Sequence, residues 1–272
     1  MIDCHTHSLF SHDGRADPRA QERRAASLGL TYFAHTEHFD PDYAFGGLER
    51  FSRPLNLERY ARFIKTGREK APGNGGFIAY GLEIGYHPAT AEDARRAADR
   101  LDLDVIVSSV HTLQGREAYI GTMFRGKTVP QVVDEYLNAL FESVRVPYCD
   151  VVGHLGYVTR YIPVFTREKQ FRLWQPTRCD RIDALLSEII RLDRTLEINT
   201  HGGSGQDDFL PEFGILRRYR ELGGDNITFS SDAHTVRDVG KGYQAARAAA
   251  LRLGFTHWTV YKRRVPVSIQ II

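Results

Sequence analysis

Apolar, β-rich runs alternate with amphipathic segments along the whole chain. Short runs rich in β-branched and aromatic residues predict strands, and apolar residues recurring every three to four positions predict helices. After a first strand that begins at Asp3, the predicted strands cover 30–34, 77–82, 104–110, 150–153, 195–198 and 226–230. The predicted helices cover 17–28, 55–70, 89–100, 130–144, 180–192, 211–222 and 236–253.

Three stretches do not follow this alternation. Residues 43–54 carry glycine, aromatic and charged residues without a clear period, which predicts a loop over one face. Residues 157–177 are irregular and rich in aromatic and basic residues, and we interpret them as part of a substrate lid. The tail at 258–272 reads as extended chain.

Strand and helix alternate about seven times, which predicts an α/β protein with a parallel sheet. The simplest arrangement is a closed or distorted barrel that uses all of residues 1–272 as a single domain. An open doubly wound sheet is the alternative, and it would place ligands at the same strand ends.

Composition narrows the class of protein. The chain has 272 residues, with 36 basic and 34 acidic side chains and a formal charge of +2, so the total charge does not indicate a nucleic-acid partner. The apolar runs are too short for a membrane span, and no signal peptide precedes Asp3. The three cysteines are far apart and are typical of reduced thiols, so we expect a cytoplasmic protein.

The first chemical motif is Asp3-Cys4-His5-Thr6-His7, in the first strand. Residues two apart on a strand project to the same side, so His5 and His7 converge. Two imidazoles on one side of a strand end could bind a divalent metal ion. A single His-x-His pair also arises by chance, so the prediction depends on further ligands elsewhere in the chain.

Further ligand-type residues follow at the ends of the later predicted strands. In a β/α barrel the carboxyl ends of the strands form one rim, where active sites are built. Any one of these residues alone could be structural, but their joint placement predicts a metal site with several ions. The nine residues are His5, His7, His12, His38, Glu83, His111, His154, Asp232 and His234.

The residue types in this ligand set indicate which metals the site prefers and what charge its substrate carries. Neutral imidazoles with few carboxylates suit zinc, iron or manganese better than calcium or magnesium. Several divalent ions carry more positive charge than the carboxylates of Glu83 and Asp232 return. The cluster therefore favours an anionic substrate, such as a phosphate ester, over a neutral amide.

The strand-end motifs together resemble the polymerase and histidinol phosphatase (PHP) superfamily, and more closely its histidinol-phosphatase branch. They occur in the family's order over nearly the whole chain. The motifs are Asp3-Cys4-His5-Thr6-His7-Ser8 with His12, Thr36-Glu37-His38, Gly81-Leu82-Glu83, Ser109-Val110-His111, Gly153-His154 and Ser231-Asp232-Ala233-His234.

The resemblance implies a distorted (β/α)7 barrel, three divalent ions and a hydroxide that bridges two of them and attacks phosphorus. It divides the ligands into three groups, with Glu83 as a bridge. The groups are His5, His7, Glu83 and Asp232 for one ion, His12, His38 and His234 for a second, and Glu83, His111 and His154 for a third.

One departure from the branch affects substrate binding. Histidinol phosphatases usually carry a basic residue shortly after a Glu-Ile-Asn-Thr run, but here Glu197-Ile198-Asn199-Thr200 continues with His201 and glycines. We therefore expect Arg160, together with Asn199, to bind the substrate. Asp232 and His201 are the predicted proton shuttles. Arg160 could equally be a surface charge, since its loop is basic.

The leading functional hypothesis is hydrolysis of L-histidinol phosphate, a small phosphorylated substrate of histidine biosynthesis. The alternative within the family is a phosphoesterase acting on another small ester or on a nucleic-acid phosphodiester. A non-catalytic metal-binding protein would be expected to have lost ligands. A neutral-substrate amidohydrolase would typically place a lysine at a strand end, and none stands there.

Overall fold

A computed structural model describes residues 1–44, 53–69, 76–201, 203 and 208–272. Seven parallel strands follow one another around one sheet in chain order. Most of the predicted loop at 43–54, the glycine turn at 73–75 and most of the glycine run at 202–205 lie outside the described residues. The strands are β1 (Ile2–Asp3), β2 (Tyr32–Phe39), β3 (Phe77–Gly85), β4 (Val105–Ser109), β5 (Val151–Val152), β6 (Thr195–Asn199) and β7 (Ile227–Ser230).

The sheet closes on itself where β7 meets the chain after β1. The Cys4 amide donates to the Phe229 carbonyl (3.0 Å), and the Asp232 amide donates to the His5 carbonyl (2.9 Å). A parallel bridge joins Thr6 to the chain beyond β7. The closure confirms the distorted (β/α)7 barrel and excludes the open doubly wound sheet.

Helices surround the barrel and pack their apolar sides against it. Two of them begin at caps that the sequence carries, the Asp17 side chain before the first helix and the Thr128–Gln131 capping box of the longest helix. The segment predicted as irregular contains a short helix and turns. The helices are α1 (Pro18–Ser27), α2 (Leu57–Glu69), α3 (Ala91–Arg100), α4 (Val129–Ser143), α5 (Ile162–Phe165), α6 (Cys179–Arg191), α7 (Phe213–Glu221) and α8 (Tyr243–Arg252).

One predicted helix is shorter than expected. The segment 236–253 forms a turn at Val236–Asp238 and becomes α-helical only at Tyr243. Gly240 and Gly242 between them have φ values of +72° and +81°, in the left-handed region where a right-handed helix cannot continue. Within the described residues, no helix combines the length and the apolar character that crossing a membrane requires.

A carboxyl-terminal hairpin covers the end of the barrel where the strands begin. The tail predicted as extended is confirmed as β8 (His257–Lys262) paired with β9 (Val265–Gln270). The Tyr32 hydroxyl at the start of β2 donates to the Tyr261 carbonyl (2.7 Å), and the Tyr261 hydroxyl contacts Thr195 Oγ1 at the start of β6 (2.8 Å). The hairpin therefore leaves open the opposite rim of the barrel, where the strands end.

Candidate metal centre

The nine predicted ligands meet at the carboxyl ends of the strands, around a cavity of about 410 Å³. Seven of them line this cavity, while His5 and His7 lie beneath it and are fully buried. Strands β2 to β4 and the turns that follow the short strands deliver side chains distant in sequence to this place. The lining ligands are His12, His38, Glu83, His111, His154, Asp232 and His234.

The first ligand group converges at the bottom of the site. His5 Nε2 lies 2.9 Å from His7 Nε2, and both nitrogens lie 3.4 Å from Glu83 Oε2. Asp232 Oδ1 lies 3.2 Å from His7 Nε2 and 3.9 Å from His5 Nε2. Asp232 has a left-handed backbone conformation (φ 51°), which is uncommon outside glycine and typical of functional turns. The four side chains can therefore share one ion.

The third ligand group uses the other oxygen of Glu83. Glu83 Oε1 lies 2.7 Å from His154 Nε2 and 3.1 Å from His111 Nε2, and the two nitrogens are 3.3 Å apart. Ser109 Oγ donates to the same oxygen (2.7 Å). Because its two oxygens face different histidine groups, the Glu83 carboxylate is placed to bridge two ions.

The second ligand group contains a carboxylate, Asp13, that is not among the nine predicted ligands. Asp13 Oδ2 lies 3.0 Å from His234 Nε2 and 4.0 Å from His12 Nε2, while Asp13 Oδ1 lies 3.5 Å from His38 Nε2. Asp13 thus stands among the three predicted histidines. Its position next to His12 was the available sequence signal, but spacing alone does not show which neighbour turns inward.

Hydrogen bonds at Nδ1 aim the Nε2 atoms of several histidines into the centre. His5 Nδ1 donates to Glu197 Oε1 (2.7 Å), and His111 Nδ1 donates to Asp40 Oδ1 (2.8 Å). With the proton on Nδ1, Nε2 presents a lone pair, and these lone pairs face the Glu83 carboxylate. His7 and His234 also carry the proton on Nδ1. His7 Nδ1 is bonded to Ser11 Oγ (3.2 Å), and His234 Nδ1 donates to the Asp232 carbonyl (2.9 Å).

Nitrogen lone pairs that face carboxylate oxygens require a shared cation between them. Protons or metal ions can fill that role, and imidazole with carboxylate is a donor set that divalent transition metals prefer. The residues present therefore fit the predicted ions.

The ionisation states of the buried histidines and carboxylates in the site depend strongly on one another. Burial disfavours the charged form of His5, but the carboxylates of Glu83, Glu197 and Asp232 outweigh it and raise the pKa of His5 well above its ordinary value. Burial likewise opposes the ionised form of Glu83, but the imidazoles of His111, His5 and His38 hold the pKa of Glu83 well below its ordinary value. His5 therefore favours its positively charged form and Glu83 its negatively charged form, and the two opposite charges attract each other.

Two buried carboxylates that are not ligands themselves hold in place the loops that carry the ligands. Glu37 accepts hydrogen bonds from the backbone and the hydroxyl of both Ser8 and Ser11, between 2.5 and 3.1 Å. Asp3 accepts from the backbone (2.9 Å) and hydroxyl (2.6 Å) of Ser231 and from the Gly240 amide (2.8 Å). Asp3 therefore supports the turn before Asp232.

Glu197 connects two of the ligand groups from behind. Besides binding His5, it accepts from the His154 backbone amide and from Asn199 Nδ2 (3.2 Å). In the sequence, Glu197 stands out only as part of the Glu197-Ile198-Asn199-Thr200 run. The structure indicates that it orients one imidazole and one loop.

Replacing Glu197 by glutamine should lower metal affinity by about 10- to 100-fold, the usual cost of losing an outer partner of a ligating histidine. The amide leaves His5 without its anionic acceptor, so the imidazole is a weaker base and less firmly oriented. Competition with a chromophoric chelator measures the affinity. Glu188→Gln, which removes an α6 carboxylate bound to Arg145 and Arg191, is the matched control and should bind metal as the unmodified chain does. Equal losses in both variants would contradict this role.

The predicted substrate residues also reach the site. Arg160 Nη2 donates to Asn199 Oδ1 (3.3 Å), and Asn199 Nδ2 donates to Asp232 Oδ2 (3.2 Å). His201 lines the cavity, and its Nδ1 donates to the Asp232 carbonyl (2.8 Å). Arg160 lines the cavity as well, so a purely superficial position for it is excluded.

The chain is similar to known proteins in both sequence and structure. A family model for the PHP domain matches residues 3–201. The histidinol-phosphatase of Lactococcus lactis is 30% identical over 259 residues, covering 93% of this chain and 91% of that protein. The probable histidinol-phosphatase of Clostridium acetobutylicum is 26% identical over 251 residues, covering 90% and 91%. The crystal structure of L. lactis histidinol phosphate phosphatase, complexed with zinc, L-histidinol and phosphate, gives a TM-score of 0.82 at 26% identity and covers 98% of both chains.

Proposed function

This chain belongs to the PHP domain family, and from that membership we propose that it is a metal-dependent phosphomonoesterase that hydrolyses L-histidinol phosphate to L-histidinol and phosphate. The single observation that carries the proposal is the Glu83 carboxylate, whose two oxygens face two histidine groups beside the cavity. The L. lactis structure, which contains zinc, L-histidinol and phosphate, supports the choice of substrate.

Three ions would be held by the three ligand groups, with Asp13 added to the second. Divalent ions bound there supply Lewis-acid stabilisation of phosphoryl oxygens and lower the pKa of water toward neutrality. The donor set fits zinc, iron or manganese.

The protein's own groups would bind the ester and move a proton. The Arg160 guanidinium, held by Asn199, would donate to non-bridging phosphate oxygens and offset the charge that develops on them. The leaving alkoxide needs a proton, and His201 is the proposed donor because its Nδ1 is bound to the Asp232 carbonyl and its ring lines the cavity. Arg15 also lines the cavity and would add positive charge to it, in a chain that lacks the branch's usual basic residue after Thr200.

A phosphate-release screen of the metal-loaded protein tests the proposal. L-histidinol phosphate should exceed generic sugar and nucleotide monoesters in kcat/KM by at least about 10²-fold, because specific polar contacts discriminate strongly. Equal rates on all monoesters would reject the substrate while keeping the phosphoesterase. No phosphate release from any ester by metal-loaded protein would reject the function.

A further inference from the structure

A tyrosine hydroxyl from a helix outside the barrel holds the turn that follows the ligand His154. Tyr136 lies on α4 and is fully buried in the main hydrophobic core. Its Oη accepts hydrogen bonds from the backbone amides of Gly156 (3.0 Å) and Tyr157 (3.1 Å). Tyr136 does not line the cavity, and the proposed chemistry does not use it. One phenolic oxygen therefore binds two consecutive amides close to a metal ligand.

The turn needs an acceptor from elsewhere because its own first residue cannot supply one. The short helical turn Tyr157–Arg160 begins after Gly156, which has a φ value of +106° and no side chain to cap the turn. The first amides of a helical turn have no acceptor within it. The Tyr157 amide also donates to the His154 carbonyl (2.9 Å), whereas the Gly156 amide has no second acceptor among the described residues. The Tyr136 hydroxyl therefore takes the place of the missing cap.

This turn links two parts of the site. His154, just before it, belongs to the ligand group of the third ion, and Arg160, at its end, lines the cavity. The Tyr157 ring packs between them, with its centroid 5.0 Å from that of His154 and 5.4 Å from that of His111. Glu197 holds the His154 amide from inside the barrel, and Tyr136 holds the next amides from outside. The position of the whole turn therefore depends on both contacts.

We propose that Tyr136 is a positioning residue for the third ion and for Arg160, and that it acts through the turn Tyr157–Arg160. The inference rests on the proposed phosphomonoesterase function and deepens it by assigning the alignment of the site to a residue outside the cavity. A buried amide that loses its acceptor must find another, so the turn would shift. A displacement of about 1 Å in an active site can cost about 10²-fold in rate.

Tyr136→Phe tests the assignment, because it keeps the ring and its packing and removes only the hydroxyl. In the metal-loaded protein, kcat/KM for L-histidinol phosphate should fall by about 10- to 100-fold. Competition with a chelator should show that the affinity for one ion falls by about tenfold or more while the remaining sites keep theirs. Excess metal should restore kcat but leave a raised KM, since it refills the site of the third ion without returning Arg160 to its place.

The matched control is Tyr219→Phe on α7. Tyr219 is equally buried, and its hydroxyl donates to the Asn226 carbonyl (3.1 Å), just before β7 and away from the strand ends that carry the site. Both variants lose one buried hydroxyl, so thermal unfolding should show comparable destabilisation. Only Tyr136→Phe should change metal affinity and kcat/KM. Unchanged metal affinity and kinetics in Tyr136→Phe, or parallel losses in the two variants, would overturn the inference.

A second variant loosens the same turn without touching α4. Thr159 Oγ1 donates to the Gly156 carbonyl (2.7 Å), so Thr159→Val should cause the same selective loss of metal affinity to a smaller extent. It decides the question if Tyr136→Phe does not fold, and unchanged metal affinity in it would then count against the inference. Failure of the unmodified protein to hydrolyse any phosphomonoester would reject the proposed function, whereas the metal affinities of the variants would still test the positioning role.

Discussion

Glu83→Gln is expected to reduce phosphate release by about 10⁴-fold or more, which corresponds to about 5 kcal/mol of transition-state stabilisation. The substitution keeps the side chain's shape but replaces one oxygen by an amide group and removes the negative charge. Glu83 Oε2 faces His5 and His7, and Oε1 faces His111 and His154, so no neighbouring side chain reproduces both contacts. Turnover and bound metal should fall together, as measured by phosphate release and elemental analysis.

Ser109→Ala is the matched control for this prediction. Ser109 donates to Glu83 Oε1 but lies outside the ligand groups, so its loss should cost only about tenfold in rate, the effect of an outer partner. A Glu83→Gln protein that retains full metal content and rate would contradict the bridging role. Similar losses in the two variants would show that the carboxylate's position matters more than its charge.

Removal of metal by a chelator is expected to abolish activity and to lower the melting temperature substantially. Ions that bind only the folded chain stabilise it by mass action, by about 4 kcal/mol per site at a thousandfold excess over Kd. Without ions, nitrogen lone pairs and carboxylates that face each other depend on protons alone. Thermal unfolding and phosphate release measure both effects, and zinc, manganese and iron are added back separately to find which restores them. An unchanged melting temperature after verified metal removal would contradict the prediction.

The same experiment has a predicted pH dependence. Burial lowers the pKa of His5, His38 and His111, but neighbouring carboxylates outweigh it and raise each pKa well above the ordinary value. In the metal-free chain, this raised pKa contributes stability that is fully present below the unfolded value of about 6.5 and is lost as pH rises through the folded value. Metal must displace these protons, so apparent metal affinity should rise with pH over the same window.

The sequence by itself determined the alternation of parallel strands with helices and the nine ligand-type side chains expected at one rim, while the closure of the sheet into a barrel came from the structure. Strand periodicity is local, so it placed His5 and His7 on one side before any contact was known. Parallel strands separated by helices carry their carboxyl ends to one edge, so ligands as distant as His38 and His234 were predicted to share a site. The arrangement of the strands and the closure of the sheet agree with that prediction.

Only the tertiary structure decided which neighbouring residues complete the site. Asp13 and Asp40 are placed by the paths of loops and by competition among hydrogen-bond partners. Neither of these two causes leaves a periodic pattern in the sequence. Similarly, the roles of Glu37 and Glu197 depend on which buried donor each carboxylate meets. Short-range pattern follows from backbone geometry, whereas pairing between loops follows from packing of the whole chain.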